Sequence, residues 1–128
     1  DLLTPGTHAT TYGGSPLGCA CILAVFEAVE KQKLLERVNG LSRWLFARLE
    51  QFKQQLRIIR QVRGRGFMVG IELTVDGRPV ADACRARGLL LNCTQERVLR
   101  LLPAMTITKS QLERAVGILE KVLMEFSQ

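Results

Sequence analysis

The chain has 128 residues, 47% of them hydrophobic and 23% charged, a balance that suits one globular core and excludes a disordered polyelectrolyte. Its formal net charge of +6, from 18 basic against 12 acidic residues, permits an anionic partner, but the basic residues are scattered. The densest cluster, Arg57, Arg60, Arg63 and Arg65, has no interleaved aromatics on which bases could stack, so no nucleic-acid partner is expected.

Taken in chain order, the first feature is a loop, TPGTHATTYGGSPL, at residues 4–17. Gly6, Gly13 and Gly14 take side chains out of the backbone's path, and the hydroxyls of Thr7, Thr10, Thr11, Tyr12 and Ser15 are interleaved with them. Ser15 before Pro16 marks a helix start, with serine as N-cap and proline at the first helical position. These residue types fit a capped turn. They also fit an anion loop, in which hydroxyls, backbone N–H groups and the helix dipole serve one ligand.

Residues 17–29, LGCACILAVFEAV, are apolar nearly all round and predict a helix that must be covered on every side. A chain this short has little protein with which to do that. The expectation is a piece of something larger, or a helix buried in a dimer. Next, Leu34, Val38, Leu41, Leu45, Leu49, Phe52 and Leu56 recur at intervals of three and four, the stripe of a long amphipathic helix with Trp44 packed beside it.

After Ile58 the period changes. Phe67, Val69, Ile71 and Leu73 alternate with Met68, Gly70 and Glu72, predicting a strand with one face in the core and a tight or bulged approach through Gly64 and Gly66. Asp76 and Gly77 predict a turn, and residues 80–87 a short helix closed by Gly88. Residues 89–92 and 98–102 read as two further strands, the second ended by Pro103. Thr108 and Gln111 predict a capping box for a last helix along Leu112, Ala115, Val116, Leu119, Val122, Leu123 and Phe126, with Gly117 a point of close packing. The predicted fold class is α+β: a small, mainly antiparallel sheet covered by helices.

Cys19, Cys21, Cys84 and Cys93 form no CxxC pair, and Cys19 and Cys21 stand about 200° apart on a helix, so no metal site is expected. Buried free thiols in a reducing compartment are the expectation. No apolar run approaches the roughly 20 residues of a membrane span and no signal peptide precedes the first motif, so no membrane partner and a cytoplasmic location are expected.

Arg100 is the informative residue of the second half. It interrupts the apolar strand VLRLL, where alternation puts it on one face with Val98 and Leu102 and sends Leu99 and Leu101 to the other. A guanidinium buried there needs an anion. Three arrangements satisfy it: a ligand carboxylate, an edge strand open to solvent, or an ion pair with Glu96 or Glu72. Glu72 and Arg65 read as a surface or interface pair. His8, the only histidine, has no nucleophile or metal partner and is expected to be structural.

The run THATTYGGSPLGCA resembles a segment of class III pyridoxal-phosphate aminotransferases, of the ornithine and acetylornithine type, that reads GxHGSTFGGNPLA. VRGRGFMVGIEL and GLLLNCTQERVLRLLP resemble the same family in the same order, so the likeness spans nearly the whole chain. Ser15 stands where asparagine is usual and Ala9 where glycine is usual. The resemblance implies that residues 1–32 close a large cofactor-binding domain of fold type I and that residues 33–128 form the small C-terminal domain.

It also implies site residues. Thr11, and with it Thr10, would contact the phosphate of pyridoxal 5'-phosphate, the cofactor belonging to the neighbouring subunit of a homodimer. Arg100 would bind the α-carboxylate of an amino-acid or 2-oxo-acid substrate. Pro103 is present, but the family's second proline is Ala104, which loosens the loop behind the arginine. The lysine that holds the cofactor covalently and moves the substrate proton has no counterpart: Lys31, Lys33, Lys53, Lys109 and Lys121 all fall on or beside solvent faces of predicted helices, and none sits in a motif resembling the family's. The expectation is therefore the C-terminal portion of an acetylornithine-type aminotransferase that uses 2-oxoglutarate in arginine biosynthesis, inactive by itself. Ornithine or 4-aminobutyrate as donor remain alternatives, as does a non-catalytic α+β dimerisation module; an anion-binding regulatory domain is the third reading.

Overall fold

The computed structural model describes residues 4–7 and 9–127, so His8 lies outside the described residues. The chain divides into two compact units, residues 1–34 and 35–128.

The first unit holds the loop and helix α1 (Pro16–Lys31). Ser15 caps it from an extended conformation, its hydroxyl accepting from the Gly18 amide at 3.3 Å, and proline takes the first position. None of its residues is buried. The thiols of Cys19 and Cys21, expected to be buried, are exposed on it because the helix is uncovered in this chain.

The second unit contains α2 (Leu34–Gln55) from Leu35 onward, β1 (Ile59–Arg65), β2 (Met68–Leu73), α3 (Arg78–Ala86), β3 (Asn92–Thr94), β4 (Val98–Leu101) and α4 (Lys109–Glu125). The four strands form one antiparallel sheet in the order β1-β2-β4-β3. Only one face of it is apolar. Val69, Ile71, Leu73 and Leu99 are fully buried there against Leu45, Leu49 and Phe52 of α2, Val80 and Cys84 of α3, and Leu119, Val122 and Leu123 of α4. Burial at this level contributes roughly 1.5–3 kcal/mol per large side chain. The predicted α+β class, with a sheet covered by helices, is the observed one, and Trp44 packs against the core as expected.

Three local predictions change. The segment before residue 67 is a full strand, β1, paired to β2 from Ile59↔Leu73 to Arg65↔Met68. Its apolar alternation is absent because it is an edge strand carrying four arginine or glutamine side chains, with a register shift between Ile59 and Gln61. Gly64 makes the hairpin possible: at φ +146° it lies so close to β2 that a Cβ would collide with the Met68 carbonyl. Residues 89–91 are not a strand. Gly88, at φ +82°, ends α3 in a Schellman motif, with Gly88 N–H donating to the Arg85 carbonyl and Leu89 N–H to that of Cys84 at 2.9 Å. That hydrogen bond turns Leu89 back on the helix, so the strand begins only at Asn92. Gly117, expected to mark close packing, has nothing within 4 Å of the place where a Cβ would stand.

The last helix begins as its sequence dictates. Thr108 Oγ1 accepts from the Gln111 amide at 3.2 Å while Gln111 Oε1 accepts from the Thr108 amide at 2.8 Å. Ahead of it, Arg37 of α2 donates to the Ile107 carbonyl at 2.7 Å and to that of Thr106 at 3.3 Å, fixing the segment that leads from β4 to α4.

Candidate functional site

The loop of the first unit is built from two turns. In one, Thr7 N–H and Thr7 Oγ1 both donate to the Thr4 carbonyl, at 3.1 Å and 2.7 Å, and the Thr4 amide donates back to Thr7 Oγ1. In the other, Ser15 N–H donates to the Tyr12 carbonyl at 3.1 Å. Two of the five hydroxyls are thereby committed: Thr7 to its turn and Ser15 to capping α1. Those of Thr10 and Thr11 are exposed and without a hydrogen-bond partner among the described residues. An uncharged hydroxyl pair ahead of a helix N-terminus has the donor chemistry of a phosphate contact, and these residues fit that group.

The second candidate region is the open face of the sheet. Register places Arg63, Gly70, Arg100 and Asn92 in one line across the four strands. Alternation then puts Gln61, Arg63 and Arg65 of β1, Met68, Gly70 and Glu72 of β2, Val98 and Arg100 of β4, and Asn92 and Thr94 of β3 on the same side, opposite the core. A shallow depression of about 590 Å³ is lined there by Arg63, Arg65, Met68, Gly70, Val98 and Arg100. Gly70 is its floor, where a Cβ would come within 3.4 Å of Val98 Cγ1.

Of the three arrangements open to Arg100, the ion pairs with Glu96 and Glu72 are not formed. Arg100 is exposed, has no ion pair among the described residues, and sits on an interior strand, not an edge. Glu96 faces Arg78 at 3.7 Å. Glu72 is taken from both sides, its Oε1 by Arg60 at 3.0 Å and its Oε2 by Arg63 at 2.5 Å. The hydrogen bond from Arg63, reinforced by the charge of Arg60, holds the Glu72 carboxyl below the usual carboxylate range, against a smaller opposing effect of desolvation. The expected pairing of Glu72 with Arg65 is corrected accordingly: Arg65 has no ion pair among the described residues, because it lies opposite Met68 near the hairpin turn, two register positions from Gly70.

Sequence reasoning singled out Arg100 and missed Arg60 and Arg63 as the partners of Glu72, since only the pairing of β1 to β2 brings them together. All five lysines are exposed. Among the described residues there is no group of histidine, cysteine or acidic side chains fit to hold a metal ion, and no helix is long and apolar enough to cross a membrane.

Comparison with known proteins bears on both regions. A family model described as aminotransferase class-III matches residues 1–123. The acetylornithine aminotransferase of Methanothermobacter thermautotrophicus is 37% identical over 121 residues, which cover 94% of this chain and 31% of that protein. The ornithine aminotransferase of an Exiguobacterium species is 42% identical over 123 residues, 96% of this chain and 30% of the relative. Among solved structures, the acetylornithine aminotransferase from Elizabethkingia anophelis superposes with a TM-score of 0.88 at 33% identity, covering 98% of this chain and 33% of its own. The chain spans about a third of the length of the relatives it matches.

Proposed function

This chain belongs to the class-III aminotransferase family, and on that premise we propose that it is the C-terminal portion of an aminotransferase that moves an amino group from N-acetylornithine to 2-oxoglutarate. Relatives named for acetylornithine and for ornithine both lie near 40% identity, which supports an ω-amino acid of ornithine type as the class of donor. The observation that carries it is Arg100: a guanidinium exposed on an interior strand and unpaired among the described residues, beside a carboxylate that other arginines hold. Its planar fork suits a bidentate grip on a substrate carboxylate, which orients the remainder of the substrate.

Pyridoxal phosphate, the group the family implies, would be held in part by the hydroxyls of Thr11 and Thr10. When bound it supplies an electron sink for the carbon from which the amino group departs. The phosphate contact reaches the cofactor of the neighbouring subunit, so the working unit is a homodimer. The cofactor-holding lysine comes from outside this chain, whose own lysines are all exposed. A cytoplasmic enzyme of arginine biosynthesis completes the reading.

The test is substitution in the full-length protein. Arg100→Ala should raise the KM of both carboxylate substrates by about 10-fold to 100-fold, the loss of a charge-assisted pair. Thr11→Ala should weaken cofactor retention on dialysis with little effect on KM. An unchanged KM removes the clamp, and equal retention removes the phosphate contact.

A second reading keeps the fold without the reaction: a dimerisation module associating through α1. The exposure of Leu17, Ile22, Leu23, Val25 and Phe26 on that helix favours it. Borohydride reduction of the full-length protein followed by peptide mapping separates the two, because only the enzyme carries a pyridoxyl group on a lysine.

A further inference from the structure

The sheet face that carries Arg100 also carries a carboxylate that could silence it. Glu72 lies opposite Val98 while Gly70 lies opposite Arg100, so Glu72 and Arg100 are diagonal neighbours on adjacent strands and on the same face. Long side chains bridge that diagonal, and β2 and β4 alone would favour an ion pair across it. The pair does not form. Both Glu72 oxygens are occupied from the other side, Oε1 by Arg60 and Oε2 by Arg63.

That double grip needs an irregular strand. Residues three apart on a regular strand point to opposite faces, so Arg60 and Arg63 could not both meet one side chain. The register shift between Ile59 and Gln61 inserts one residue, Arg60, between the partners of Leu73 and Glu72. A bulge of this kind re-aims a side chain, and here it brings a second guanidinium to Glu72.

We propose that Arg60 and Arg63 are positioning residues that sequester Glu72 and so keep Arg100 free for the carboxylate of the substrate. The inference rests on the reading of Arg100 as a carboxylate clamp. With Arg63 removed, Oε2 is released and the Glu72 side chain turns across the diagonal onto Arg100, where it competes with substrate as an internal carboxylate.

The experiment uses the full-length protein, with glutarate as the probe of carboxylate binding by calorimetry and steady-state kinetics alongside. Arg63→Ala should weaken glutarate binding and raise the substrate KM about threefold to fivefold, with kcat retained, the scale of one exposed ion pair. Glu72→Gln alone should bind glutarate as well as the parent or better. Combined with Arg63→Ala, Glu72→Gln should return both quantities to within about twofold of the parent, the limit of a surface substitution. That rescue separates sequestration from a structural role. Arg63→Ala without effect, or a loss that Glu72→Gln does not repair, overturns the inference. If Arg63→Ala does not fold, weaker binding by Glu72→Gln alone overturns it. Arg100→Ala keeps the two readings apart: if it leaves glutarate binding unchanged, the clamp itself is wrong, whereas a loss there without the Arg63 effect sinks only the sequestration.

Discussion

Helices α1 and α4 begin alike and end in opposite circumstances. Each is capped by a hydroxyl residue, Ser15 or Thr108, and each is rich in large apolar side chains. In α4 those side chains recur at helical spacing, and Leu112, Val116, Leu119, Val122 and Leu123 are buried. In α1 they surround the axis, and Leu17, Ile22, Leu23, Val25 and Phe26 are between 56% and 76% exposed. Apolar content therefore does not bury a helix. A stripe needs one neighbour, and a helix apolar all round needs several.

The largest test of that contrast is deletion of one aromatic from each unit. Phe52→Ala removes a ring that is 1% exposed in the core and should destabilise the second unit by about 3–5 kcal/mol in denaturant unfolding. Phe26→Ala, on the exposed face of α1, should shift the same transition by less than about 0.5 kcal/mol. A large effect from Phe26 would mean that α1 belongs to the core after all, and the comparison would collapse.

Next in size are the caps. Thr108→Ala removes half of a reciprocal capping box and should cost about 1 kcal/mol of global stability. Ser15→Ala should lower helical content measured by circular dichroism and leave the global midpoint in place, because α1 buries nothing that the transition reports.

At neutral pH the smallest effect concerns the thiols. Burial pushes the Cys84 thiol from 9.0 to about 11, partly opposed by the charge of Arg87. The unfolded chain releases this proton near the lower value and the folded chain near the higher. Between them the native state binds more protons, so stability falls as pH rises through that window. Cys84→Ala should flatten that part of the stability profile, and Cys84 should be the last of the four thiols alkylated in native conditions. Cys19 and Cys21, both exposed on α1, should react first. Equal rates for Cys19 and Cys84 would erase the distinction between the two units.

The open sheet face sharpens the contrast. It is exposed like α1, yet it is charged, and its side chains are organised by register. Glu72 remains ionised below the usual carboxylate range because Arg63 and Arg60 bind it. The stability that Glu72 gains from these two arginines is therefore complete above the usual carboxylate range and is lost progressively as pH falls through that range toward the lowered value.

Features that depend on local chemistry were legible in the residues alone. Ser15 with Pro16 and Thr108 with Gln111 fixed two helix starts, because a cap is satisfied within four residues. The stripe of α2 and the alternation of β2 fixed which faces are buried, because period alone selects them. Three separated motifs, two of them containing Thr11 and Arg100, pointed to the family without any contact being known. Features that depend on partners far along the chain came from long-range pairing. β1 has no apolar alternation, so its strand character comes from hydrogen bonds to β2 and not from its residues. The hydrogen bond from Leu89 to Cys84 moved the start of β3, a choice between two uses of one amide that composition cannot make. Whether Glu72 would meet Arg65, Arg100 or two other arginines was settled by the pairing of β1 to β2, which sets Arg63 on its face, and by the register shift that brings Arg60 there as well.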